Sequence, residues 1–521
     1  MLHLLAALLA AAPLTQCFSH AAIPPLPIPP RISAGDGARL HSQSGEELPP
    51  VDTVYTFDQL IDHNNPGLGT FQQRYWSNWE FYQPGGVIVF NTPGESNAEG
   101  YMPFLTNDSI NGQIAQAHNG ATVMLEHRFY GFSNPLPDLS VESLRFHTIQ
   151  QAIDDLEYFA KNAKLPFPGG DQVGPDKVPW VLVGGSYAGA LTAFTNVNKP
   201  GLFAAYYASS AVVESITNLW AWFEPVRLHM PQNCSLDVQA AIARFDSILT
   251  GKNQTAISAL KASFGLEDLA HPEDFAVALK NNLWAWQFLG PSSGDDASVF
   301  YDFCDALEVV DGANAGPNGR GGEYALAAWG KYWTDGYYTS LCGDMDAETC
   351  LGSYNASDTY FTSTAIDNYD RSWMWIVCNE MGFFQNSAPF PHPTLVSHVW
   401  QDSDDERTCQ LFFPTAFPRP TPPPVERTNF AYEGWNVHTT NIYFGNGQRD
   451  PWMYATVSSP FTYVPDTPEQ SIGLSEGGFH CSDMITLEGQ CDASVLAVQK
   501  KGLAAIARYL AEWKAAKTGA Y

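Results

Sequence analysis

Short runs of apolar and β-branched residues recur along the chain, each ending in Gly, Pro or polar residues. They are Val87 to Phe90, Thr122 to Leu125, Trp180 to Val183, Ala204 to Ser209 and Asn441 to Phe444. Runs of this length without polar alternation predict strands buried on both faces. Between the second and third runs, Thr148 to Ala163 spaces Ile149, Ala152, Ile153, Leu156, Phe159 and Ala160 as one face of a helix, and Pro166 follows its end. Ser494 to Ala516 repeats the pattern with Leu496, Val498, Leu503, Ile506, Leu510 and Trp513. Buried strands alternating with amphipathic helices predict an α/β fold with a parallel sheet covered on both faces.

The middle of the chain breaks this alternation. Residues 217–426 are rich in helix formers and aromatics, and a proline cluster, Pro418 to Pro424, ends the stretch. The expectation is an inserted, mostly helical domain that splits the α/β core into residues 51–216 and 427–521. No internal repeat is present. At the start, Leu4 to Leu14 has the length of a signal-peptide core and is too short to span a membrane, so residues 1–19 read as a signal peptide. Residues 20–50 carry Pro24, Pro25, Pro27, Pro29 and Pro30 and read as a linker or pro-segment without regular structure.

Composition sharpens this picture in two ways. Lys and Arg number 26 against 55 Asp and Glu, a formal charge of −29, which disfavours a nucleic-acid partner and suits an acidic medium. The nine cysteines include Cys17 in the signal segment. The other eight (Cys234, Cys304, Cys342, Cys350, Cys378, Cys409, Cys481 and Cys491) are an even set in an exported chain and predict four disulfides, with Cys342 and Cys350 close enough for a local loop. Sequons at Asn107, Asn233, Asn253 and Asn355 accord with secretion, though that number is near chance expectation. No C-x-x-C pair, H-E-x-x-H helix, Walker loop or G-x-G-x-x-G turn occurs, so neither a metal nor another cofactor is expected.

The chemistry concentrates in Trp180-Val-Leu-Val-Gly-Gly-Ser-Tyr-Ala-Gly189. An apolar strand runs into Gly-Gly-Ser and a helical pattern follows, the context of a nucleophile elbow that presents Ser186 above a sheet. The tight turn needs small residues two positions either side, here Gly184 and Ala188. The competing reading is an ordinary glycine-rich turn. A serine hydroxyl needs an imidazole to take its proton, and the imidazole needs an acid to hold its tautomer. In the order Ser, Asp, His, the candidates are Asp450 in Gly-Asn-Gly-Gln-Arg-Asp-Pro-Trp452 and His480 in Glu-Gly-Gly-Phe-His-Cys-Ser-Asp483. An oxyanion hole would take one backbone N–H from Tyr187 and a second from Gly94 or Glu95, in the loop after Val87 to Phe90. The Tyr187 hydroxyl is open to two readings, a further donor or a packed aromatic. Leu125-Glu-His-Arg-Phe-Tyr-Gly131 reads as a structural ion-pair and aromatic cluster. Trp373 and Trp375 read as core, with an apolar substrate pocket as the alternative.

Gly-Gly-Ser-Tyr-Ala-Gly189, Glu-His-Arg-Phe-Tyr-Gly131, Asn-Gly-Gln-Arg-Asp-Pro-Trp452 and Gly-Gly-Phe-His-Cys-Ser-Asp483 together resemble the serine peptidases of the S28 type. That group includes lysosomal Pro-X carboxypeptidase, dipeptidyl peptidase II and the fungal acid prolyl endopeptidases. Asp-His-Asn-Asn-Pro66, Phe71-Gln-Gln-Arg-Tyr-Trp76 and Arg371 to Gln385 extend the likeness from about Phe57 to the C-terminus, and Thr-Pro-Gly-Glu95 is most similar to the fungal branch. The resemblance implies an α/β-hydrolase core with a large helical cap and cleavage after proline at acid pH. It implies Ser186 as nucleophile, Asp450 as orienting acid and His480 as general base, with Trp452 lining a proline pocket. Ala188 stands where relatives carry Gly or Ser. Work in acid would require the imidazole of His480 to resist protonation, and burial under the cap would lower its pKa.

The expected protein is a secreted or vacuolar, acid-active serine peptidase, a monomer or homodimer, that takes proline-containing peptides as substrates. It would act as an endopeptidase. The alternatives are a Pro-X carboxypeptidase or dipeptidyl exopeptidase, in which Glu95 could pair with a substrate amine, an esterase or lipase, and an inactive hydrolase-fold glycoprotein that binds partners.

Overall fold

The computed structural model describes residues 24–26, 28–32, 40–293 and 299–519. The expected signal peptide and Cys17 lie outside them. The buried apolar runs form strands β3 (Ile88–Asn91), β4 (Ala121–Leu125), β5 (Trp180–Gly185), β6 (Ala205–Ser209) and β7 (Ile442–Gly447). Three more polar strands complete the sheet: β1 (Tyr55–Leu60), β2 (Thr70–Asn78) and β8 (Gln470–Ser475). The order is β1-β2-β4-β3-β5-β6-β7-β8. Only the pairs β1–β2 and β2–β4 are antiparallel; from β4 to β8 every neighbour is parallel. With helices on both faces, this is an α/β-hydrolase core.

Alternate residues of each central strand face opposite layers. Ile88, Phe90 and Leu182 join the core under α2 (Ile149–Asn162) and α3 (Tyr187–Asn198), which contribute Ile153, Phe159, Leu191 and Phe194. Val89, Val181 and Val183 face α1 (Ile110–Ala117) and a long C-terminal helix (Ala493–Thr518), which bring Ile114, Ile506 and Tyr509. Both α2 and the C-terminal helix start on a side-chain cap. Thr148 accepts from the Gln151 N–H, and Asp492 accepts from those of Ser494 and Val495.

The chain between β6 and β7 is mostly helical and includes α4 (Gln232–Leu249), α5 (Val299–Glu308), α6 (Gly322–Tyr332), α7 (Tyr369–Ile376) and α8 (Asp402–Phe412). Cys234–Cys304 ties α4 to α5, Cys342–Cys350 closes a local loop, and Cys378–Cys409 fastens the end of α7 to α8. The fourth expected disulfide does not form. Cys481 is enclosed against Gly185 while Cys491 is exposed at the end of a short helix, so both are free thiols. Asn107, Asn253 and Asn355 are exposed, but Asn233 is half-buried with its amide donated to Glu308 and Asn314. No helix among the described residues is long and apolar enough to cross a membrane.

Candidate active site

Register explains why distant residues meet. Gly185 at the end of β5 pairs with Ser209 at the end of β6, which pairs with Gly445 of β7, and Gly447 pairs with Ser475 of β8. The segments leaving these four parallel strands therefore emerge along one carboxyl edge, the usual place for a site in an open α/β sheet. Ser186, Asp450 and His480 all lie on such segments.

Ser186 sits at φ 59°, ψ −122° between β5 and α3, a conformation costly for a residue with a side chain. Its N–H donates to the Ser209 carbonyl at 2.8 Å. The turn tolerates no Cβ at Gly184, where one would stand 2.1 Å from the Ala188 carbonyl oxygen, or at Gly189, 2.6 Å from that of Ser209. Ala188 fits, its methyl facing Gly94.

Asp450 and His480 are fully buried, with His480 Nδ1 2.9 Å from Asp450 Oδ1. The same oxygen accepts the Trp452 N–H at 2.9 Å, which fixes the carboxylate. His480 Nε2 and Ser186 Oγ are both buried and lack a hydrogen-bond partner. Their chain neighbours meet, Cys481 Sγ lying 3.0 Å from where a Cβ on Gly185 would stand. The His480 loop is anchored by the Cys481 N–H, which donates to Ser210 Oγ at 2.9 Å. It is also held by buried Asp483, which accepts from Ser209 Oγ at 2.5 Å and the Tyr207 hydroxyl at 2.9 Å. Burial lowers the pKa of His480, as anticipated, but the charge and hydrogen bond of Asp450, together with the neighbouring Cys481, outweigh it and hold the imidazole well above its ordinary value. The expectation of a depressed His480 is thus reversed, because an imidazole buried beside a carboxylate is stabilised as imidazolium.

Tyr187 opens α3, so its N–H heads a 12-residue helix. The loop carrying Gly94 at φ 82° lies on that first turn, with a Cβ position 3.7 Å from Tyr187 Cδ1. The Gly94 N–H donates to Thr92 Oγ1 at 3.4 Å. The Tyr187 hydroxyl is a packed group: it meets His127 Nε2 at 3.2 Å and its ring stands edge-on to Trp373. Both carboxyl oxygens of Glu95 are buried without a partner, and burial pushes its pKa well up despite opposing contributions from its own backbone N–H and the His480 charge. Glu126 and Arg128 are structural. Glu126 accepts Arg74 at 2.5 Å and 2.9 Å, and Arg128 donates to Asp155 at 2.7 Å.

Next to His480 the indole of Trp452 is almost fully buried, edge-on to Trp222 and Phe383, with Nε1 donating to Gln287 Oε1 at 2.7 Å. Trp373, Phe383 and Phe384 join Trp452 around an apolar pocket, so Trp373 belongs to a cavity wall as well as to the core. Gln287 escaped the sequence reading, since an isolated glutamine among Trp284, Trp286 and Phe288 carries no local signal. The proline-rich segment is not an open linker here. Pro24 and Pro25 form part of the wall of this pocket, Leu26 and Pro29 are buried, and Pro29 Cγ lies 2.8 Å from a Cβ position on Gly185.

The sequence matches the family described as serine carboxypeptidase S28 over residues 58–502. It is 34% identical over 499 residues to a serine protease, vicPa, of Bipolaris victoriae, covering 90% of this chain and 92% of that one. A probable extracellular serine carboxypeptidase of Arthroderma benhamiae is 31% identical over 433 residues, 76% of this chain and 59% of the other. The thymus-specific serine protease of Mus musculus is 25% identical over 477 residues, 85% and 84% of the two chains. With the family's match running from β1 into the last helix, the chain belongs to the S28 serine peptidases.

Proposed function

We propose that this protein is a secreted serine endopeptidase that cleaves on the carboxyl side of proline in an acidic medium, through an acyl-enzyme. One observation carries the reading. At the carboxyl edge of the sheet a strained serine, an unpartnered imidazole nitrogen and a carboxylate bonded to that imidazole are buried together. Ser186 Oγ attacks the scissile carbonyl while His480 Nε2 takes its proton. Asp450 fixes the tautomer and supports the imidazolium, and His480 then protonates the leaving amine. Water repeats the sequence on the acyl-enzyme. The N–H groups of Tyr187 and of Gly94 or Glu95 receive the oxyanion.

Proline specificity is supported by the aromatic pocket of Trp452, Trp373 and Phe383, whose flat faces suit a pyrrolidine ring, and against which prolines of the chain's own N-terminal segment lie. Secretion is supported by the disulfides and by the extracellular relative. An acidic medium is supported by buried Asp370 and Glu380, both pushed up to about 7 by burial and therefore uncharged there. The protonated His480 would make the rate in acid depend on a minority of neutral imidazole. A second reading, an exopeptidase that grips a substrate amine, is favoured by the unpartnered carboxyl of Glu95 beside the site. A peptide blocked at both ends with one internal proline, incubated with the protein freed of residues 24–32 and read by mass spectrometry, decides between them. Cleavage after proline, lost in Ser186→Ala, supports the endopeptidase. Cleavage only after one end is freed supports the exopeptidase.

A further inference from the structure

The N-terminal segment meets the site as a peptide would. Gln287 Nε2 donates to the Leu26 carbonyl at 2.6 Å, and the Tyr101 hydroxyl donates to the Pro29 carbonyl at 3.2 Å. The other end of the Gln287 amide is held by Trp452 Nε1, so its NH2 is aimed at the peptide backbone before any ligand arrives. Arg31 stacks its guanidinium over the Tyr101 ring at 5.7 Å and lies against Gly100. Pro24 and Pro25 wall one side of the aromatic pocket, beside Trp373, Phe383 and Trp452. Ser186 Oγ is sealed from solvent in this arrangement.

We infer that residues 24–26 and 28–32 are an intramolecular occupant of the substrate groove that holds the enzyme inactive until it is excised, and that Gln287 and Tyr101 grip the backbone of a substrate where they now grip Leu26 and Pro29. A proline-rich stretch suits this role. Its backbone is pre-ordered, and it loses little entropy on docking. Backbone carbonyls held by a fixed amide and a phenol give affinity without reading side chains, as a peptidase of broad sequence tolerance requires. The contacts cross from the inserted domain (Gln287) to the core (Tyr101, Gly185), so the segment also pins the two together over the nucleophile.

The inference rests on the serine-peptidase reading but is tested apart from proline cleavage. A protease site replacing residues 33–39 lets the segment be cut and removed after folding. The rate of labelling by a fluorophosphonate probe is then compared in intact and trimmed protein. A tethered occupant present at an effective ~1 mM, with a dissociation constant of ~10–100 μM in trans, slows labelling about 10- to 100-fold. The synthetic peptide Pro-Pro-Leu-Pro-Ile-Pro-Pro-Arg-Ile should slow labelling of the trimmed protein. Gln287→Ala should weaken that peptide about tenfold, the worth of one buried hydrogen bond. In the intact chain Leu26→Asp, which places a charge on a buried position, should reproduce the effect of trimming. Equal labelling of intact and trimmed protein, or a trimmed protein indifferent to the peptide, overturns the inference. Peptide that blocks labelling of an enzyme unable to cleave after proline would sustain the inference and refute the proline reading instead.

Discussion

Two buried carboxyls tie stability to pH. Asp370, on α7, accepts the Tyr360 hydroxyl at 3.3 Å through one oxygen, while the other has no partner. Glu380 accepts the Ile149 N–H at the start of α2 at 3.0 Å. Burial pushes each to about 7, against ordinary values of 3.8 and 4.5. Between these limits the native state holds a proton that the unfolded state has lost, so stability falls as pH rises through the window. Each group costs about 1.4 kcal/mol per pH unit there. The double variant Asp370→Asn, Glu380→Gln keeps the shapes and most of the hydrogen-bonding capacity but cannot titrate. From about pH 5 to about pH 6.5 the parent should lose about 4 kcal/mol more than the variant. For a protein of this size, with an unfolding entropy near 1 kcal/mol/K, that is about 4 °C in Tm. Thermal unfolding followed by tryptophan fluorescence across this range measures the difference. A variant whose Tm declines with pH as steeply as the parent's would refute the reasoning, because the two carboxyls would then carry no proton that unfolding releases.

Other outcomes follow from the site. On the acid side, kcat/KM should rise about tenfold per pH unit until His480 is neutral, and a profile flat between about pH 4 and 6 would contradict the raised imidazole. Asp450→Asn should cut kcat by about 10⁴ through the wrong tautomer, with Tm as a control for folding. Trp452→Ala should lower kcat/KM for proline peptides by about 10- to 100-fold while leaving fluorophosphonate labelling of the trimmed enzyme far less affected, which a selectivity comparison against an alanine peptide would read. Gly184→Ala should destabilise by more than about 2 kcal/mol or stop secretion, since its methyl would collide with the Ala188 carbonyl, and urea unfolding would show it.

The strands that precede Ser186 and Asp450 were legible because each is buried on both faces and so begins as an apolar run. β1 and β2 lie at the sheet's antiparallel edge and contain Gln59, Gln73 and Arg74, which donate to partners far away in sequence, Asp155 and Glu126. β8, Gln470–Ser475, is an edge strand of polar and small residues. No local pattern announces such strands. Ser186, Asp450 and His480 were legible from turn chemistry and order, whereas Gln287 gains its meaning only from Trp452, 165 residues away. The even cysteine count misled because it counts thiols without their positions.

The three disulfides of the described residues all fall between positions 217 and 426, and none staples the sheet. Oxidative maturation therefore concerns the inserted helical element, while the scaffold that strains the serine is held by hydrophobic layers, strand pairing and buried hydrogen bonds such as those of Asp483. A mild reductant should uncouple the two. The nucleophile would still be displayed to a small electrophile, but the enzyme would lose its grip on peptides, turning a selective protease into an indiscriminate acyl acceptor.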